Sequence, residues 1–96
     1  MASLTIVANI VAQADKVELV KSELLKLLDP TRAEEGCINY DLHQNNDDPA
    51  HFVFYENWAS VAHLQTHLAT THIANYINAT EGAIVSFTLN KMTKIG

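Results

Sequence analysis

The chain has 96 residues, 48% of them apolar, with a formal charge of −5 at pH 7 and a pI near 5.3. Its 6 basic residues are scattered and Arg32 is the single arginine, so no basic patch exists to hold a phosphate backbone or an anionic bilayer; nucleic-acid and membrane-surface roles are excluded. No apolar run approaches a bilayer span, Met1-Ala2-Ser3 lacks the basic and apolar regions of a signal peptide, and the lone Cys37 permits no internal disulfide, which together suggest a cytoplasmic protein.

The length fits a single domain over residues 1–96, small enough to gain from burying surface against a partner. Ser3 to Ala12 is apolar and β-branched at both parities, the pattern of a strand covered on both faces, with Asn9 as its polar interruption. Asp15 to Glu18 has the form of a capping box, and Val17, Val20, Leu24, Leu27 and Leu28 then recur at helical spacing. Asp29-Pro30 is expected to break this helix, with one further turn from Pro30 through Arg32 to Glu35 and a stop at Gly36.

Cys37 to Gln44 alternates with period two, which assigns Ile38, Tyr40 and Leu42 to one face and Asn39, Asp41 and His43 to the other. Five turn-forming residues, Asn45 to Pro49, lead into a second β pattern from His51 to Trp58, so a hairpin is expected. Ser60 is placed to cap a helix with Val61, Leu64 and Leu68 inward. Thr70-Thr71 interrupts it, and His72 to Ala79 forms another short helix. Gly82 precedes the last strand, Ala83 to Met92.

The order β-α-β-β-α-β predicts an α+β, ferredoxin-like fold, an antiparallel four-stranded sheet with helices on one face. Both faces of the first strand are largely apolar, and only one can meet the chain's own helices. A second copy of the same sheet is the simplest cover for the other, so a homodimer is expected.

Trp58, His63, His67 and His72 are gathered between Glu56 and Ile73, where a strand passes into a helix, and this concentration suggests a pocket. Arg32-Ala-Glu-Glu-Gly-Cys-Ile-Asn-Tyr-Asp-Leu-His43, with Tyr55-Glu-Asn-Trp58 and the following His-Leu-Gln-Thr-His-Leu-Ala-Thr-Thr-His72, resembles the antibiotic biosynthesis monooxygenase family, its bacterial quinol monooxygenases most of all. The resemblance implies a dimeric α+β barrel with a pocket between each sheet and its helices. For some members it implies oxidation of a quinol or polyphenol by O₂ with no metal, flavin or haem. One branch degrades haem with an Asn, a Trp and a His; Asn9 matches the first, but His67 and Ile77 occupy the other two positions. Another branch acts on a small phosphorylated signalling metabolite, for which Arg32 is the obvious phosphate partner.

A cofactor-free oxygenase needs a base to make an electron-rich phenolate and donors to stabilise developing charge. His72, at the start of a helix that favours its neutral form, is the first choice of base. His67, at the margin of the Val61/Leu64/Leu68 stripe, can also reach the pocket, whereas His63 points away. His63 and His67 at i, i+4 could chelate a metal but lack a third ligand at a recognisable spacing, so no metal is expected. Asn9 requires a hydrogen bond, from substrate or backbone. Trp58 is either a core plug or a pocket donor. Tyr40, Phe52, Phe54, Leu64 and Tyr76 are candidates for the substrate-binding walls, and Glu56 either orients a histidine or pairs with a lysine. Cys37 packs as a small hydrophobe. The leading expectation is an oxygenase for a small aromatic substrate with O₂; the alternatives are an isomerase for a phosphorylated metabolite and a non-catalytic ligand-binding dimer.

Overall fold

In the computed structural model, which describes residues 3–96, strand β1 (Leu4–Ala12) buries Ile6, Ala8, Ile10 and Ala12 and leaves Thr5, Val7, Asn9 and Val11 half-covered. Met1 and Ala2, the start of the expected domain and of the segment read as lacking a signal peptide, lie outside the described residues. Helices α1 (Val17–Leu25) and α2 (Leu28–Arg32) follow, then the strands β2 (Cys37–Gln44) and β3 (His51–Trp58), helices α3 (Val61–Leu68) and α4 (Thr71–Ala79), and strand β4 (Ile84–Met92). The strands form one antiparallel sheet in the order β2-β3-β1-β4, the ferredoxin-like α+β arrangement expected from the element order. The core lies between one face of this sheet and the helices, with Ile6, Phe52 and Trp58 of the sheet against Val20, Leu24 and Leu64 of the helices. Among the described residues no helix is long and apolar enough to cross a membrane.

Four local expectations are corrected. Asp15 does not cap α1: Lys16 stands at the N-cap without a side-chain bond, and its N–H donates to the Gln13 carbonyl at 2.9 Å, so a backbone turn sets the helix entry. The helix breaks before Pro30. Leu27 N–H tightens onto Leu24 O at 3.1 Å, and Pro30 then sits inside the first turn of α2, where its missing N–H has no helical partner to lose. Ile38 does not share the inner face with Tyr40: the register passes from Cys37↔Trp58 to Asn39↔Asn57, leaving Ile38 as the extra residue of a bulge, 60% exposed. On α3 the buried stripe is Leu64 and His67, while Val61 and Leu68 are exposed; its centre lies about 90° around the helix from Val61.

Gly36 makes the connection from α2 to β2 possible. Its φ is +82°, a Cβ there would collide with the His63 ring, and its carbonyl accepts from Ala59 N–H at 2.8 Å. This turn holds Gly36 against the start of α3, and the preceding Glu34 meets the end of α3 and the start of α4.

Candidate active site

A cavity of about 580 Å³ opens between the helix-facing side of the sheet and the helices. Ile10 of β1, Leu24 of α1, Phe54 of β3, Ile73 of α4 and Phe87 of β4 make its wall largely apolar, and Tyr40, Glu56, His67 and Tyr76 bring polar atoms to it. Strand parity explains the sheet's share: Phe54, Glu56 and Trp58 alternate on the inner face of β3, and Glu56 lies in register between Ile6 of β1 and Tyr40 of β2.

Tyr40, Glu56 and His67 are joined with Trp58, Glu34 and His72 by hydrogen bonds and ring contacts. Trp58, fully buried, donates its indole N–H to Glu56 Oε1 at 2.8 Å. The indole lies 4.7 Å from the His67 ring, centroid to centroid, and Tyr40 meets the same imidazole edge-on at 5.4 Å while stacking on Phe54 at 4.4 Å. His67 Nδ1 and His72 Nε2 each lie 2.7 Å from one oxygen of Glu34, Oε2. An ionised carboxylate only accepts, so both nitrogens carry hydrogens; in His67 this tautomer leaves Nε2 with a lone pair, and no described residue bonds it.

The break between α3 and α4 makes the shared contact possible. Thr70 caps α4 by accepting from Ile73 N–H at 3.4 Å and returns its own hydroxyl to His67 O at 2.7 Å, so the chain turns sharply between the two histidines and both reach Glu34. Burial pushes the His67 pKa below its ordinary value and so favours the neutral ring, against the opposing pull of Glu34. Burial also lifts the Glu56 carboxyl to about 7, a rise reduced by the Trp58 N–H and reinforced by Glu34. The Tyr40 and Tyr76 phenols are raised by burial, as is the Cys37 thiol.

Of the residues singled out from the sequence, Tyr40, Phe54, Glu56, His67 and Tyr76 line the cavity. Trp58, Phe52 and Leu64 are fully buried behind it, and His72 stands one hydrogen bond removed, through Glu34. Asn9 is not brought into this group: it sits on the opposite sheet face, where its Oδ1 lies 2.9 Å from His51 Nε2, so its partner is a protein side chain. Among the described residues Glu56 bonds neither a histidine nor a lysine but the indole. His63, expected to point away from the pocket, is 2.8 Å from Ser60 Oγ at the start of its own helix. Arg32 bonds Tyr40 O at 3.1 Å and approaches Asp41 at 3.5 Å, away from the cavity wall.

Glu34 was missed as a site residue. Its signal was present in the acidic pair ahead of Gly36, inside the resemblance motif, but nothing in the spacing reveals that the Gly36 turn delivers one of those acids to two imidazoles on another part of the chain. Glu34, His67 and His72 have donor atoms within 4.8 Å of one another, a separation a metal ion could bridge, and a different trio from any built on His63 and His67. The two N–H···O bonds already account for this spacing.

Residues 3–79 match the model of the family described as antibiotic biosynthesis monooxygenase. The chain belongs to this family. It is 31% identical over 71 residues to the "Putative monooxygenase Rv0793" of Mycobacterium tuberculosis, covering 74% of this chain and 69% of that protein. It is 28% identical to the "Probable quinol monooxygenase YgiN" of Escherichia coli, covering 75% and 77%. Against a Synechocystis relative, 27% identical, the chain spans 50% of the other protein's length. The crystal structure of PA3566 from Pseudomonas aeruginosa superposes with a TM-score of 0.95 at 31% identity, over 100% of this chain and 97% of that one.

Proposed function

We propose that the protein is a cofactor-independent monooxygenase that oxidises a small quinol or polyphenol with O₂, with His67 as the base. The observation that carries this reading is a buried imidazole on an otherwise apolar cavity wall, its Nδ1–H tied to Glu34 and its Nε2 free. Such a group takes a phenolic proton from a bound quinol, and Glu34 steadies the imidazolium that results. The phenolate is the electron donor that O₂ requires. His72, the earlier choice of base, holds Glu34 from its other side and acts as a positioning residue.

The cavity's volume falls within the range of small-molecule sites, and its aromatic and aliphatic walls favour a flat, apolar ring. The name carried by the Escherichia coli relative supports the same substrate class. A phosphorylated substrate finds less support, because Arg32 is engaged by Tyr40 O and Asp41. The homodimer belongs to this reading as well: Val7, Val11 and Val53 on the outer sheet face are half-covered, and a second sheet would complete their burial. Sedimentation at micromolar concentration is expected to give a dimer, and a stable monomer would contradict it.

The test of activity is oxygen uptake by chelator-treated protein against a panel of quinols and polyphenols, with autoxidation subtracted. Uptake with one quinone formed per O₂ is expected. No uptake above autoxidation with any of them would refute the reading.

A further inference from the structure

Proton abstraction by His67 leaves Glu56 without a task, yet this carboxyl is only 4% exposed on a cavity wall and forms no ion pair with any described residue. Burying an unpaired carboxyl is costly unless it stays protonated or serves chemistry. We propose, on the oxygenase reading above, that Glu56 is the acid of the second half-reaction, giving the proton that lets the distal peroxide oxygen leave as water.

The geometry supports this role in three ways. Trp58 N–H holds Oε1 at 2.8 Å and so fixes the carboxyl, while no described residue bonds Oε2. The same indole packs 4.7 Å from His67, which puts acid and base at one end of the cavity. The titratable groups lining this cavity besides Glu56 are Tyr40 on β2, His67 on α3, Tyr76 on α4 and Glu81 in the turn after α4, with Glu34 behind His67; the neighbouring side chains from β1 and α1, Ile6 and Leu24, are apolar. A carboxyl that titrates near 7 in this setting still holds its proton over much of the neutral range.

The step balances as follows. His67 takes the phenolic proton, the phenolate passes one electron to O₂, and superoxide joins the ring carbon; His67 returns the proton to give a C–O–O–H group. The ring C–H bond then breaks, its proton goes to His67 and its electron pair forms the C=O bond. The O–O bond breaks with its pair on the distal oxygen, which leaves as hydroxide and becomes water with the Glu56 proton. The proton on His67 resets Glu56 after turnover. Substrate loses four electrons and O₂ gains four, one oxygen atom appearing in the quinone and one in water.

Glu56→Gln tests this, because the amide keeps an oxygen for the Trp58 N–H but has no acidic proton. Oxygen uptake, quinone formation and peroxide release are followed separately in rapid mixing, with Glu56→Asp alongside as the variant that keeps an acid. The expected result is a first turnover of O₂ uptake near the wild-type rate, quinone formation slowed roughly 10²-fold, peroxide accumulating in its place, and partial recovery in the Asp variant. Quinone formation should also lose its decline above neutral pH in Glu56→Gln. Wild-type quinone formation in Glu56→Gln would overturn the inference, as would an equal fall in uptake and quinone without peroxide, which would mark Glu56 as a packing or binding residue. A wild-type protein inert to every quinol would instead remove the oxygenase reading, and this inference with it, before any variant is compared.

Discussion

The two faces of the sheet use similar residues to opposite effect. On the outer face, Thr5, Asn57, Asn39 and Asp41 form a hydrogen-bonded ladder, and Asn45, His51 and Asn9 form a second, with members half-covered or exposed. Inside, Trp58, Glu56, His67, Glu34 and His72 are also hydrogen-bonded, but around a largely apolar cavity, where burial favours the uncharged forms of both His67 and Glu56. A polar group near water needs only a partner. A polar group out of water becomes either a liability or a reagent, and its protonation state is set by what surrounds it.

The largest effect expected from this contrast is at the inner histidine. His67→Ala should lower turnover by roughly 10²–10⁴-fold, while His51→Ala, on the outer face, should leave it within about twofold in the same steady-state assay. Equal losses in the two variants would erase the distinction between the faces. Glu34→Gln comes next. The amide can still accept from one imidazole but carries no charge to steady an imidazolium, and a loss of roughly 10–10²-fold in kcat with little change in KM is expected.

Glu56 gives the smaller, thermodynamic test. Its carboxyl titrates near 7 in the folded protein against about 4.5 in the unfolded chain. Between these values the unfolded chain has released a proton that the native chain keeps, so this group makes stability fall as pH rises, by on the order of 3 kcal/mol at most. His67, whose pKa is lowered, contributes the opposite slope, with stability lost as pH falls below its ordinary titration range. Urea unfolding from pH 4.5 to 7.5 should therefore show the wild-type falling relative to Glu56→Gln as pH rises. Parallel profiles would contradict the buried, protonated carboxyl.

The sequence revealed the sheet and most element limits because period-two and period-3.6 patterns are local, and the Ser60 and Thr-Thr signals fell at real helix starts. The site was only partly legible. His67, Tyr40, Phe54, Glu56 and Tyr76, candidates because they accompany inward-facing apolar positions, line the cavity. Asn9 was misplaced because both faces of β1 look apolar, so parity alone could not say which set meets the helices; the packing of Ile6, Ala8 and Ile10 decides it. Glu34 and the choice between His67 and His72 depend on the Gly36 turn and the break at Thr70, tertiary relations that span 33 and 38 residues of chain.

The most direct test removes oxygen altogether. A quinol or nitrophenol analogue whose phenolate absorbs at a distinct wavelength is titrated anaerobically into wild-type protein and His67→Ala at a pH about one unit below the ligand's own pKa. With His67 as the base, the ligand bound to wild-type protein shows the phenolate band and the ligand bound to the variant does not. A ligand that binds wild-type protein without ionising, or ionises equally in both, would contradict it.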